Sequence, residues 1–151
     1  MGTPADVMGA MGVLDGQVAI VTGAGKGLGR TIALALAEAG ADVALAARSE
    51  ADLTAVAEGI RAVGRRSLAV PTDVTDREDV EALVERTVQE LGGLDILVNN
   101  AGIVRESPLL ETTDDDWDAV IDTNVRGTFL CARSAGRVLT AKGSGSRPPT
   151  S

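Results

Sequence analysis

Four short runs of apolar residues, separated by longer amphipathic segments, constrain the fold of this chain more than any other feature. The runs are Val18–Val21, Val43–Ala46, Leu68–Val70 and Ile96–Val98. Continuous apolar strands of this kind are typical of a parallel sheet that helices cover on both faces. The sequence therefore predicts an α/β fold built on a doubly wound parallel sheet of about four strands.

Two capping motifs mark helix starts in the intervals between these runs. Ser49–Asp52 and Thr75–Glu78 have the spacing of capping boxes, which predicts helices over 50–63 and 76–91. Each predicted helix ends next to a glycine, as helices commonly do. Strands and helices therefore alternate along the chain.

Two further helices are predicted from apolar spacing. One opens near Leu28, within a glycine-rich stretch, and stops at Gly40. The other is long, over 114–142, and carries apolar side chains at helical spacing on one face. These side chains, which are expected to face the core, are Trp117, Val120, Ile121, Val125, Phe129 and Ala132.

Right-handed crossovers determine the expected order of the strands. They place the first two helices on one face and the third on the other if the chain reverses direction, which gives the order 3-2-1-4. The predicted domain covers residues 15–142. A flexible leader over 1–14 is expected before it, and a disordered tail over 143–151 is expected after it.

The composition excludes several classes of function. With a formal charge of -8 at pH 7, the chain repels phosphate backbones and anionic lipid, so we expect no nucleic acid and no membrane as partners. The lack of His and Tyr removes histidine-based triads, histidine metal sites and tyrosine acids. The single cysteine, Cys131, forms no internal disulfide, which fits a reducing compartment. We therefore expect a cytoplasmic protein that binds no metal.

The segment Thr22–Gly29, T-G-A-G-K-G-L-G, lies between the first strand and the first helix. Glycines let a pyrophosphate approach the backbone, and the N–H groups at a helix start favour its charge. The spacing matches neither G-x-G-x-x-G nor the P-loop, because Leu28 and Arg30 stand where glycine is required. The pattern that fits is T-G-x-x-x-G-x-G. We interpret the segment as a phosphate-binding loop, with a tight turn that binds no ligand as the alternative.

The chain here resembles the short-chain dehydrogenase/reductase family, in which T-G-x-x-x-G-x-G occupies the same place. Four further segments appear in the family's order: Leu14–Ala19, Asp73–Val74, Asn99–Gly102 and Asn124. The resemblance covers residues 14 to about 145 and is greatest to the 3-oxoacyl-carrier-protein reductase branch. It implies a partial Rossmann-type domain that binds a nicotinamide dinucleotide.

The resemblance also implies roles for individual residues. The pyrophosphate and the adenosine ribose would be held by Gly23, Ala24, Gly25, Lys26, Gly27, Leu28 and Gly29. Asp73 would bind the adenine amino group and Val74 the adenine ring, although Asp73 is also explained as a turn residue. The ribose on the nicotinamide side would be lined by Asn100, Ala101 and Gly102.

Asn124 is the one candidate catalytic residue. It lies near the apolar face of the last predicted helix, where an amide without a partner would be costly, so a specific partner is expected. In the family that the chain resembles, this asparagine supports a water beside the catalytic lysine. An amide that bonds only to nearby backbone is the alternative.

The charges after the second strand predict a preference for NADP(H) over NAD(H). An acid about 20 residues beyond the glycines would bind the ribose hydroxyls of NAD, but this strand ends in Ala46-Ala47-Arg48. Arg48 suits a 2′-phosphate, and Lys26 in the glycine loop can reach the same group. A solvated Arg48 at a helix start is the alternative.

The catalytic part of the resemblance is absent from this chain. The family uses a tyrosine, a lysine four residues later and a serine, whereas this sequence has no Tyr and its only lysines are Lys26 and Lys142. No apolar run for a fifth strand follows Lys142, a pattern that suggests truncation or a change of reading frame near Gly145. The uncovered edge of the fourth strand favours association into a homo-oligomer.

The sequence thus predicts the cofactor-binding half of an NADP(H)-dependent oxidoreductase that transfers hydride between the cofactor and a small carbonyl or alcohol. Taken alone, this chain is expected to be inactive. The alternatives are a non-catalytic nucleotide-binding or regulatory subunit and an inactive product of a truncated gene.

Overall fold

Each apolar run forms a strand of one parallel sheet in the computed structural model, which describes residues 12–142. The strands are β1 (Val18–Thr22), β2 (Asp42–Ala47), β3 (Ser67–Pro71) and β4 (Ile96–Val98). Their order across the sheet is β3-β2-β1-β4. The predicted strand order is therefore confirmed.

The helices occupy both faces of this sheet. They are α1 (Gly27–Glu38), α2 (Glu50–Ala62), α3 (Arg77–Leu91), α4 (Asp114–Ile121) and α5 (Gly127–Lys142), with a 3₁₀ turn at Leu109–Glu111 and a π turn at Asp122–Arg126. One core joins α1 and α2 to the sheet, and a second core joins α3 and α5 to it. The doubly wound arrangement predicted from the sequence is confirmed.

The central strand, β1, lies between β2 and β4, and all of its residues are buried. Asp95 ties β4 to it. The backbone N–H of Asp95 donates to the carbonyl oxygen of Val18 at 2.8 Å, and its carboxylate accepts the backbone N–H of Val18 at 2.8 Å. Because all four strands are parallel, their carboxyl ends lie at one edge of the sheet, where folds of this class bind their ligands.

The N-termini of α2 and α3 are capped by side chains. Ser49 caps α2, as predicted, because its Oγ accepts the backbone N–H of Asp52 at 3.3 Å. At α3 the cap is Asp76 rather than Thr75, since the Asp76 carboxylate accepts the backbone N–H of Glu78 at 2.9 Å. The Thr75 hydroxyl donates instead to Oδ1 of Asp73, two residues earlier in the chain.

The helix predicted over 114–142 is present, but it is not a uniform α-helix, because a π-helical segment at Asp122–Arg126, here called the π turn, joins α4 to α5. A π turn contains one extra residue, which rotates the side chains that follow it relative to those before it. In α5 the buried side chains are Leu130, Cys131 and Ala135, whereas α4 buries none. Five of the six side chains expected in the core are exposed: Trp117 (62%), Ile121 (37%), Val125 (58%), Phe129 (55%) and Ala132.

The chain joins the domain at its first described residues. The backbone N–H of Leu14 donates to the carbonyl oxygen of Ala39 at 2.8 Å, and the Leu14 side chain packs against the core under α1 and α2. Residues 1–11 of the leader expected over 1–14, and the whole tail expected over 143–151, lie outside the described residues. Within the described residues, no helix has the length and apolar character needed to cross a membrane.

Candidate functional site

The glycine loop connects the carboxyl end of β1 to α1. Gly23 and Gly27 have φ angles of 62° and 58°, which residues with a side chain rarely adopt. Gly29 is glycine for a different reason, since a Cβ at this position would collide with the carbonyl oxygen of Gly23. The loop and the first turn of α1 therefore lie in direct contact at the carboxyl edge of the sheet.

A buried threonine ties this loop to the segment that follows β4. Thr22 Oγ1 accepts the backbone N–H groups of Asn100 and Ala101, each at 3.0 Å, and donates to the carbonyl oxygen of Val98 at 3.4 Å. The side-chain amide of Asn100 in turn donates to the carbonyl oxygen of Gly23 at 3.2 Å. Two motifs that are far apart in the sequence thus form one structural unit.

A cavity of about 480 Å³ opens at this edge of the sheet. Such a volume lies within the range of about 300–1,000 Å³ that is typical of small-molecule and cofactor sites. The cavity spans the crevice between β1 and β4, where the strand order reverses. Its lining residues are Gly23, Gly25, Lys26, Ala46, Ala47, Arg48, Ser49, Asp52, Thr72, Val74, Asn100, Ala101, Gly102, Ile103 and Thr123.

Most of the predicted cofactor residues are brought together at this cavity. Eight of them line it: Gly23, Gly25, Lys26, Arg48, Val74, Asn100, Ala101 and Gly102. The others, which do not line it, are Ala24, Gly27, Leu28, Gly29 and Asp73. Ala24 is fully buried, and its N–H donates to the carbonyl oxygen of Ala46 at 3.2 Å, which joins the loop to β2.

Seven lining residues are not among those predicted from the sequence, namely Ala46, Ala47, Ser49, Asp52, Thr72, Ile103 and Thr123. A signal existed for Ala46, Ala47 and Thr72, because each stands at or just after the carboxyl end of a predicted strand. No local pattern marks Thr123, which the π turn brings to the cavity.

Both basic residues of the cavity form ion pairs with carboxylates. Lys26 Nζ lies 3.9 Å from Asp52 Oδ2, and the Arg48 guanidinium lies 3.4 Å from Asp73 Oδ1. The side chains of Lys26 and Arg48 are 88% and 71% exposed. Because exposed ion pairs contribute little to stability, both cations can exchange these partners for an anionic ligand at small cost.

Asp73 is held in its ionised form by the turn that follows β3. The hydroxyl of Thr75 donates to Asp73 Oδ1 at 2.7 Å, and this bond is the main cause that lowers the pKa of Asp73. Partial burial raises the pKa, whereas the backbone N–H of Thr75, at 2.9 Å, and the Arg48 guanidinium lower it further. Asp73 therefore presents a carboxylate beside the cavity at neutral pH.

The side-chain amide of Asn124, in the π turn, pairs with the backbone of Ile103. Its Oδ1 accepts the N–H of Ile103 at 2.8 Å, and its Nδ2 donates to the carbonyl oxygen of Ile103 at 2.9 Å. The specific partner expected for Asn124 is therefore present, and it is backbone from another part of the chain. Asn124 does not line the cavity, but it holds Ile103, which does.

The only cysteine, Cys131, packs beneath this region with Val74, Val80 and Leu130. Burial raises the pKa of its thiol to about 11. The thiol is therefore neutral at physiological pH and acts as a small apolar side chain.

Comparison with known proteins identifies the class to which this fold and site belong. The model of the short chain dehydrogenase family matches residues 17–146. The chain therefore belongs to the short-chain dehydrogenase family, as its motifs predicted.

Individual relatives support the same assignment. The chain is 44% identical to a short-chain dehydrogenase/reductase of Armillaria gallica, over 93% of this chain and 54% of that protein. It is 47% identical to a 3-oxoacyl-[acyl-carrier-protein] reductase of Staphylococcus aureus, over 78% of this chain and 48% of that protein. A short chain dehydrogenase from Burkholderia cenocepacia, solved in complex with NADP, superposes with a TM-score of 0.80 at 45% identity, over 83% of this chain and 52% of that one. The chain thus spans about half the length of the relatives it matches.

Proposed function

We propose that this chain is the cofactor-binding half of an oxidoreductase that prefers NADP(H) to NAD(H) and transfers hydride to or from a small carbonyl or alcohol. The observation that carries the cofactor preference is the pair of basic side chains, Lys26 and Arg48, that line one cavity. β2 ends in two alanines, so no acid stands where the ribose hydroxyls of NAD would be bound. The Burkholderia relative with bound NADP supports the same class of cofactor.

The start of α1 fits the pyrophosphate of such a cofactor. The helix begins after Lys26, whose side chain makes no capping hydrogen bond to the first turn. The first backbone N–H groups of a helix that lacks a side-chain cap are available to an anionic ligand. A Cβ built at Gly27 would meet no other atom within 4 Å, so the outer side of the loop is open.

The two ends of the cavity would receive the two nucleosides. Val74 would lie against the adenine ring, and the ionised carboxylate of the neighbouring Asp73 would accept the adenine amino group. Asn100, Ala101 and Gly102 would line the ribose on the nicotinamide side. These three residues line the cavity, which supports this assignment. The hydrogen bonds from the backbone N–H groups of Asn100 and Ala101 to Thr22 Oγ1 join the segment after β4 to the glycine loop.

NADP(H), when bound, supplies or accepts the hydride, and the residues of this chain bind and orient it. Asn124 contributes indirectly, because its amide holds the backbone of Ile103 at the cavity wall. The sequence contains neither Tyr nor His, so no residue of these common acid types is present to deliver the proton.

Titration of the purified chain with NADPH and NADH, at low and moderate salt, tests the proposal. We expect the chain to bind NADPH more tightly than NADH. In Arg48→Ala, NADPH should bind about ten- to a hundredfold more weakly, because a charge-assisted hydrogen bond to phosphate contributes about 1.5–3 kcal/mol. The affinity for NADH should not change in that variant. Arg77→Ala, which removes an exposed arginine that does not line the cavity, is the matched control. Equal affinities for the two cofactors would refute the preference, and binding of neither would refute the site.

A further inference from the structure

A carboxylate stands inside the cavity that is proposed to bind phosphate. Asp52, in the first turn of α2, lines the cavity together with Lys26 and Arg48, and it is the only acid among the lining residues of the described chain. Its Oδ2 lies 3.9 Å from Lys26 Nζ. The negative charge of this carboxylate has the same sign as the charge of a phosphate and therefore repels it.

The Asp52 side chain lies directly against the glycine loop. A Cβ built at Gly25 would meet Asp52 Cβ at 2.9 Å and Asp52 Oδ2 at 3.8 Å. The backbone N–H of Asp52 donates to Ser49 Oγ at 3.3 Å, so the first turn of α2 is capped and its position beside the loop is set by the helix. The helix therefore places the Asp52 side chain close to the loop.

The two ion pairs of the site differ in whether the acidic partner lines the cavity. The partner of Arg48 is Asp73, which does not line the cavity and whose Oδ1 also accepts the hydroxyl and the N–H of Thr75. The partner of Lys26 is Asp52, which does line it. An incoming phosphate must therefore compete with Asp52 for Lys26 and is also repelled by Asp52 itself.

We propose that Asp52 is a specificity-determining residue that weakens binding of the 2′-phosphate and so limits the preference of this site for NADP(H) over NAD(H). The inference rests on the proposed function, because it concerns the same cavity and the same two cations. The effect depends on charge: it requires an ionised carboxylate beside Lys26 and vanishes when that charge is removed.

The adenosine half of the cofactor is the sharpest probe of this inference. The test compares 2′,5′-ADP, which carries the 2′-phosphate, with 5′-AMP, which lacks it, by calorimetric titration of the full chain. In Asp52→Asn we expect binding of 2′,5′-ADP to strengthen by about three- to tenfold, with a smaller change for 5′-AMP, so that the ratio of the two affinities rises.

The matched control is Glu50→Gln. Glu50 lies in the same first turn of α2 and its substitution changes the net charge equally, but it does not line the cavity. We expect the ratio of affinities to change by less than about twofold in this variant. Raising the ionic strength from about 0.01 M to about 1 M shortens the Debye length from about 30 Å to about 3 Å and should reduce the gain in Asp52→Asn.

The outcomes separate this inference from the proposed function. If the wild-type chain binds 2′,5′-ADP no better than 5′-AMP but Asp52→Asn does, the inference is supported and the NADP(H) preference of the natural chain is wrong. If the ratio is the same in wild type, Asp52→Asn and Asp52→Ser, including the case of no detectable binding, the inference is overturned. The serine variant keeps a side chain suited to a first helical turn in case the asparagine variant unfolds, which thermal melting would show.

Discussion

The hydroxyl oxygen of Thr22 accepts the backbone N–H of Asn100 at 3.0 Å, and Thr22 is only 1% exposed. The same oxygen accepts the N–H of Ala101. Thr22→Val keeps the shape of the side chain but leaves these N–H groups without their acceptor. We expect the free energy of unfolding to fall by about 1–3 kcal/mol, measured by urea denaturation.

Thr22→Ser is the control for this change, because serine retains the hydroxyl and loses only a methyl group. The serine variant should lose less stability than the valine variant. A valine variant as stable as the wild type would show that the segment after β4 does not depend on Thr22.

Gly29 and Gly136 are both helical, but they differ in the space around them. A Cβ at Gly29 would collide with the carbonyl oxygen of Gly23, whereas a Cβ at Gly136 would meet nothing within 4 Å. We therefore expect Gly29→Ala to destabilise the chain by more than about 1 kcal/mol and Gly136→Ala to stabilise it by about 0.5–1 kcal/mol. Thermal melting of the two variants beside the wild type measures both effects. Equal shifts in the same direction would contradict the packing of α1 against the loop.

Asp73 should make stability depend on pH in the acid range. Its pKa in the folded chain is lowered from the ordinary value of 3.8, chiefly by the Thr75 hydroxyl, so its contribution to stability is complete above that value. The contribution is lost as the pH falls below 3.8 and through the lower folded pKa. Urea denaturation at neutral pH and at about pH 3 should therefore show a smaller acid loss for Asp73→Asn than for wild type. Asp118→Asn, which removes the same charge from an exposed position in α4, should retain the wild-type acid loss.

The purified chain alone should reduce no carbonyl compound. Proton delivery by a positioned acid typically contributes about 10²–10⁴-fold to such a reaction, and the sequence has neither Tyr nor His to act as that acid. The measurement is the loss of NADPH absorbance with a panel of small ketones and aldehydes. Rapid turnover that is abolished by Asn124→Ala, or by removal of a nearby carboxylate, would show that this chain supplies an acid of another type.

The architecture was predictable because its signals are local. Strand length and continuous apolar character marked the four strands, and right-handed crossovers, together with an assumed reversal of direction after the third strand, led to the order observed. The T-G-x-x-x-G-x-G segment predicted the glycine loop and the family for the same reason: the requirement for glycine arises within a few residues. That Lys26 and Arg48 line the cavity was predictable as well, because Lys26 lies in the loop after β1 and Arg48 directly follows β2.

The π turn within the last helix was not predictable from its own residues. The apolar spacing from Trp117 to Ala132 is helical throughout, and nothing in it indicates a π turn. The turn carries Asn124, whose amide bonds to Ile103, 21 residues away. Which face of α5 is buried was therefore decided by packing against α3 and the sheet.

The amino-acid sequence by itself determined the strands, their order, the glycine loop and the cations near it, because each follows from periodicity, chain connectivity or residue type. Only the tertiary structure decided which polar groups meet. Thr22 bonds to Asn100 across 78 residues, and the carboxylate of Asp52 lies against the loop and beside Lys26. Such partners are selected by the packing of whole helices and strands, so their identity appears only when the sheet and both helical layers are assembled.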